Sequence, residues 1–141
     1  MSRIRSRTKV SVDTIDLITI IRHHYGEDIQ IGEKIELDEG YYSIAYSIEL
    51  KNFDYNIVIK LAPPILDYQL IYEQQGIETE VNFIRLLEKV SSRDKIPFPE
   101  LLFDDIGGEV MGRAYFIMKK FEGSSWNKMR KELSDEQNNL L

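Results

Sequence analysis

Ile57-Val58-Ile59-Lys60 is the segment that most restricts what this chain can fold into. Three β-branched residues in succession favour extended backbone, because branching at Cβ limits χ1 in a helix. The strand they predict spans Tyr55–Ala62, and Pro63-Pro64 stops it, since proline cannot donate to a sheet ladder. A run this apolar reads as a buried strand, yet it closes on a lysine. A charge at the end of a buried strand needs a partner, because burying it alone is costly. The fold must therefore hold a sheet and bring an acid to its third strand.

The flanking pattern supplies both. Tyr42, Ile44, Tyr46, Ile48 and Leu50 alternate with Ser43, Ala45, Ser47 and Glu49, the period of a half-buried strand. Lys51-Asn52-Phe53-Asp54 reads as the turn between the two strands, and residues 33–39 as a strand before them. Ser11 or Asp13 can cap an N-terminal helix whose apolar face is Val12, Ile15, Leu17, Ile18 and Ile21, with Gly26 ending it. Residues 70–90 predict a long helix with Ile77, Val81, Ile84, Leu86 and Leu87 on one face. Pro97-Phe98-Pro99 leads in extended form to a strand over Leu101–Ile106. Gly107-Gly108 then makes a hairpin turn, and Arg113–Lys119 returns. Trp126–Leu133 predicts a short helix, and Ser134-Asp135-Glu136-Gln137 a capped start of another. The expected fold is α+β: a five-stranded antiparallel sheet with one long packed helix, preceded by an N-terminal helix. The expected organisation is a basic flexible N-terminus over 1–10, the sheet-bearing lobe over 11–119, and a linker over 120–141 that begins a further lobe. A helix that starts with good caps and stops within two turns is expected to belong to something longer.

Composition removes several chemistries. The chain has 141 residues, enough for one domain with a real core. It has no cysteine, so disulfides, thiolate nucleophiles and cysteine-held metals are excluded, and a reducing, cytoplasmic setting is expected. The net charge is −6, with basic residues gathered only at Arg3, Arg5, Arg7 and Lys9, so a nucleic-acid partner is not expected. No apolar run reaches the roughly 18 residues of a membrane span, so no membrane partner is expected. His23-His24 stand side by side on a helix, where adjacent side chains diverge, and read as surface histidines rather than a metal pair.

The acid expected for Lys60 is Glu80, twenty residues on, beside the apolar Val81 and Ile84 of the long helix. Glu73 and Glu78 are rivals; Glu78 points about 200° away from Glu80 around a helix. A lysine on the third strand paired to a glutamate on the next helix is the arrangement that holds nucleotide phosphates in kinases. The turn between the first two strands would cover those phosphates, with Gly40 permitting close backbone approach and Ser43 offering a hydroxyl and an N–H. The glycine pattern differs from G-x-G-x-x-G, since Tyr42 and Ala45 hold the other two positions. A base slot would follow the last strand, with Met118 at its back and Lys119 C=O and Phe121 N–H at its edge.

From about residue 12 onward the chain resembles the small lobe of the aminoglycoside phosphotransferase family, which has a protein-kinase-like fold. The resemblance rests on Gly40-x-x-Ser43-x-x-Tyr46, Ile59-Lys60, Thr79-Glu80, Ile96-Pro97-Phe98-Pro99, and Tyr115-Phe116-Ile117-Met118 followed by Phe121-Glu122-Gly123. It implies that Lys60 holds the nucleotide phosphates, Glu80 orients Lys60, and Met118–Phe121 hold the base. It further implies transfer of the γ-phosphoryl of ATP or GTP, with Mg²⁺, to a hydroxyl of a small molecule, an aminoglycoside or a metabolite. The family's H-G-D-x-x-x-x-N loop and later D-x-D are absent from these residues, and Asp104-Asp105 and His23-His24 do not replace them. The chain alone is therefore expected to be inactive, with no catalytic residue or metal ligand of its own. Its acceptor site would lie in the other lobe, and an exposed lobe interface would favour self-association. The alternative is an orphan kinase-like lobe serving as a non-catalytic protein-binding module. An unrelated α+β domain with a coincidental Lys–Glu pair is the third reading.

Overall fold

Alternation and β-branching lay down a sheet, and two helices cover its two faces. The computed structural model describes residues 12–37, 43–63, 75–123, 129 and 132. Its elements are α1 (Thr14–Tyr25), β1 (Ile31–Leu37), β2 (Ile44–Leu50), β3 (Ile57–Leu61), α2 (Gly76–Val90), β4 (Leu101–Asp105) and β5 (Tyr115–Lys119). The strands form one sheet in the order β1-β2-β3-β5-β4, with every neighbouring pair antiparallel. The fold is the expected α+β arrangement, with β3 at the centre of the sheet. Among the described residues no helix is long and apolar enough to cross a membrane.

Successive side chains of β3 point to opposite faces. Ile57, Ile59 and Leu61 join Ile44, Tyr46 and Ile48 of β2 and Tyr115 and Ile117 of β5 in a core closed by Leu17, Ile20 and Ile21 of α1. Phe116 of β5 and Ala62, just past β3, face the other way and pack with Ile77, Val81 and Ile84 of α2 and with Phe98. Phe98 anchors the expected Pro-Phe-Pro segment; it is buried, and the Arg93 guanidinium lies 4.6 Å above its ring.

Several boundaries differ from the sequence expectation. The first strand begins at Ile31 rather than residue 33, and the third covers only Ile57–Leu61 of the expected Tyr55–Ala62. Val12, just before α1, and Leu17 and Ile21 within it are buried as expected, but Ile20 replaces Ile15, which is 76% exposed. Ile15 lies two residues from Leu17, about 200° around the helix, so it cannot share its face. The same geometry exposes Leu86 of α2, two residues beyond buried Ile84. Asp13 stands at the α1 N-cap but makes no side-chain capping bond. Gly26 ends α1 at φ 92°, its N–H donating to Arg22 O at 2.8 Å. The β4–β5 connection is a wide loop rather than a tight Gly107-Gly108 turn. Asp105 holds it, accepting bonds from the Glu109 and Val110 N–H groups at 3.0 and 2.8 Å, while Gly108 and Gly112 take positive φ. The helices expected over Trp126–Leu133 and from Ser134, and the 70–74 portion of the long helix, lie outside the described residues apart from positions 129 and 132.

Candidate functional site

Lys60 is the fourth residue of β3 and stands on the face that α2 covers. Its register partners are Ala45 on β2 and Phe116 on β5. Phe116 is buried against α2, while Ala45 presents only a methyl group. Helix α2 crosses this face and brings Glu80 to the lysine. The Lys60 Nζ donates to both Glu80 carboxylate oxygens, each at 2.7 Å. The pair keeps access to solvent, with side-chain exposures of 26% for Lys60 and 42% for Glu80. Glu80 is thus the partner rather than Glu78. An ammonium carries three donors, so the forked contact with Glu80 leaves one N–H of Lys60 for an anion.

The neighbouring row of the sheet continues the surface. Val58 is paired with Ser47 on β2 and with Met118 on β5, and all three share the face of Lys60. Ser47 and Val58 are buried and Met118 is half-buried. Ser43 stands just before β2, two residues from Ala45, at the Lys60 end of the strand pair. Lys60, Glu80, Ser43 and Met118 therefore border one side of the sheet.

Lys119 and Phe121 contribute differently. The Lys119 side chain alternates to the α1 face, where its Nζ lies 5.1 Å from the centre of the Tyr55 ring. Its backbone N–H donates to Glu100 O at 2.9 Å, and that of Lys120 to Asn56 O at 2.9 Å. Phe121 follows the sheet with its ring exposed. Gly40 lies outside the described residues.

Two groups escaped sequence reasoning. Arg85 of α2 pairs with Asp104 of β4, which pins the helix carrying Glu80 to the sheet edge. Only the three-dimensional crossing of α2 over the sheet brings these two together. Arg113 donates through Nε and Nη2 to the Ala62 carbonyl at 2.8 and 2.6 Å, holding the chain where it leaves β3. Burial pushes the Arg113 guanidinium pKa down.

His24 corrects the surface-histidine reading. It is half-buried, stacked on Phe103 at 4.5 Å, with Nε2 2.8 Å from the Tyr115 hydroxyl. Desolvation, then the neighbouring His23, lower the His24 pKa, against the opposing pull of Asp105 and Asp104. Burial pushes the Tyr115 hydroxyl up to about 12. His24 and Tyr115 sit on the α1 side of the sheet, away from Lys60.

Among the described residues no group of three or more His, Asp or Glu side chains could hold a metal ion. The adjacent acids of β4 are already engaged, Asp104 by Arg85 and Asp105 by loop N–H groups. These residues do not fit a Mg²⁺ site.

Comparison with known proteins finds no family model that matches the chain and no curated protein that it matches.

Proposed function

We propose that this chain is the nucleotide-binding small lobe of a cytoplasmic phosphotransferase, similar to the aminoglycoside phosphotransferase family. One observation carries the reading: Lys60 on the central strand is held by both carboxylate oxygens of Glu80 on the covering helix, at 2.7 Å. Phosphoryl transfer depends on positioned charge rather than covalent chemistry. A lysine fixed this way and still open to solvent can meet a phosphate oxygen with its remaining donor. Glu80 serves as the positioning residue, keeping the ammonium over one place instead of sweeping its flexible stem. Half-buried Met118, paired with Val58 one row along the sheet from Lys60, offers the apolar contact that a base would take. Mg²⁺, the base that takes the acceptor's proton, and the small-molecule acceptor all belong to a second lobe in this proposal. The chain by itself then binds ATP or GTP without turning it over.

The test is thermal unfolding of the chain with and without ATP or GTP, in the wild type and in Lys60→Ala. A ligand at a hundred times its Kd stabilises the folded state by about 2.7 kcal/mol. The wild type should show such a shift and Lys60→Ala should lose it. No shift at millimolar nucleotide, or a shift that survives Lys60→Ala, defeats the reading and favours a partner-binding module without a nucleotide.

A further inference from the structure

Helix α2 buries Ile77, Val81 and Ile84 against the sheet, and its opposite face is also apolar. Phe83, Leu86 and Val90 are exposed by 59, 54 and 69%. Their spacings of three and four residues place them within about 60° of one another, on the side of the helix turned away from the buried stripe. Single exposed apolar residues are ordinary, but three aligned along one helix form a seam of the kind that helices bury against one another.

The charges beside the seam select its occupant. Glu78 lies in the first turn of α2 and Lys89 in the last. On the helical wheel both fall on the same flank of the seam, within about 20° of each other. A second α2 laid antiparallel across the seam sets Glu78 of each copy opposite Lys89 of the other, twice by symmetry. Its Phe83 rings meet near the two-fold axis. A parallel two-fold arrangement puts this flank of the two copies on opposite sides of the seam and forms neither pair. A self-complementary patch of this kind is what a closed two-fold dimer requires.

We propose that the outer face of α2 is a homodimer surface, occupied by α2 of a second copy in antiparallel orientation. Glu80 projects from the other flank of the helix toward Lys60, so the dimer leaves the Lys60–Glu80 pair uncovered. The inference does not depend on the nucleotide reading.

Sedimentation equilibrium of the full chain over a concentration series provides the test. The wild type should fit a monomer–dimer equilibrium. Phe83→Glu should raise the dimer Kd by about a hundredfold or more, as expected for an aromatic anchor at the centre of an interface. Glu78→Lys and Lys89→Glu should each weaken their own dimers, by about tenfold for two reversed surface pairs. Mixing these two variants should restore wild-type affinity, because both cross-pairs are again opposite in sign. Circular dichroism melting confirms that each variant is folded, which exposed positions should tolerate. A wild type that stays monomeric at high concentration, a dimer indifferent to Phe83→Glu, or a charge-swapped mixture no tighter than its components overturns the proposal.

Discussion

The two faces of one sheet are built for different tasks. The α1 face is mainly aliphatic and closed: Leu17, Ile20 and Ile21 lie over Ile44, Ile48, Ile57, Ile59 and Ile117, all essentially without solvent contact, with Tyr46 and Tyr115 buried among them. Its polar groups are satisfied in place, as where the Tyr46 hydroxyl accepts the Val12 N–H at 3.1 Å. The α2 face has a smaller buried cluster and carries charge, in Lys60–Glu80 and Arg85–Asp104. Dry aliphatic packing gives stability roughly in proportion to buried area. Half-exposed ion pairs add little stability, but they place charge where a ligand can reach it. The sheet is thus held together mainly from one side and presents its chemistry on the other.

This contrast can be broken most forcefully on the α1 side. Ile59→Ala leaves a cavity in the closed core and should cost roughly 2–5 kcal/mol in urea unfolding. A loss below about 1 kcal/mol would mean that the α1 face does not carry the stability assigned to it.

Lys60→Ala probes the other face. Its own unfolding free energy should change by no more than about 1 kcal/mol, since the pair is partly solvated, while the nucleotide-dependent shift disappears. Glu80→Gln should weaken nucleotide binding less than Lys60→Ala does, as the lysine remains but is no longer held. Isothermal titration of the three proteins ranks them, and equal affinities for wild type and Glu80→Gln would remove the positioning role.

A pH series sharpens the comparison on the α1 side. The folded His24 pKa lies below its ordinary value of 6.5, so the folded state favours the neutral ring. Its contribution to stability is complete above pH 6.5 and is lost as pH falls through the depressed folded value. The urea midpoint of the wild type should therefore decline more steeply below that pH than the midpoint of His24→Gln. Parallel pH profiles for the two proteins would exclude His24 as the source.

The smallest effect is expected at the sheet edge. Arg85→Ala should destabilise by about 0.5 kcal/mol, the range for a solvent-accessible pair. If the change also weakens nucleotide binding, the Arg85–Asp104 pair steers α2 and hence Glu80.

Much of this molecule was legible in the order of its residues. Alternation over Ile44–Leu50 and β-branching over Ile57–Ile59 mark strands because a pleat sends successive side chains to opposite faces. The Lys60–Glu80 pairing could be anticipated because a lysine closing an apolar strand needs an acid, and Glu80 sits beside the apolar stripe that docks the helix. Gly26 signalled the end of α1 because its positive φ suits a residue without Cβ.

Long-range placement decided the rest. Ile15 and Ile20 have the same chemistry, yet only Ile20 is buried, since the sheet covers one arc of α1 and the sequence does not say where that arc is centred. His24 looked like a surface residue until Phe103 and Tyr115, far along the chain, closed around it. Arg85 and Asp104 find each other only because β5 slots between β3 and β4, setting β4 at the sheet edge near α2. Local periodicity specifies which residues share a side of their own element. Which side meets the core is a property of the assembled sheet, because burial requires a partner surface that no single segment contains.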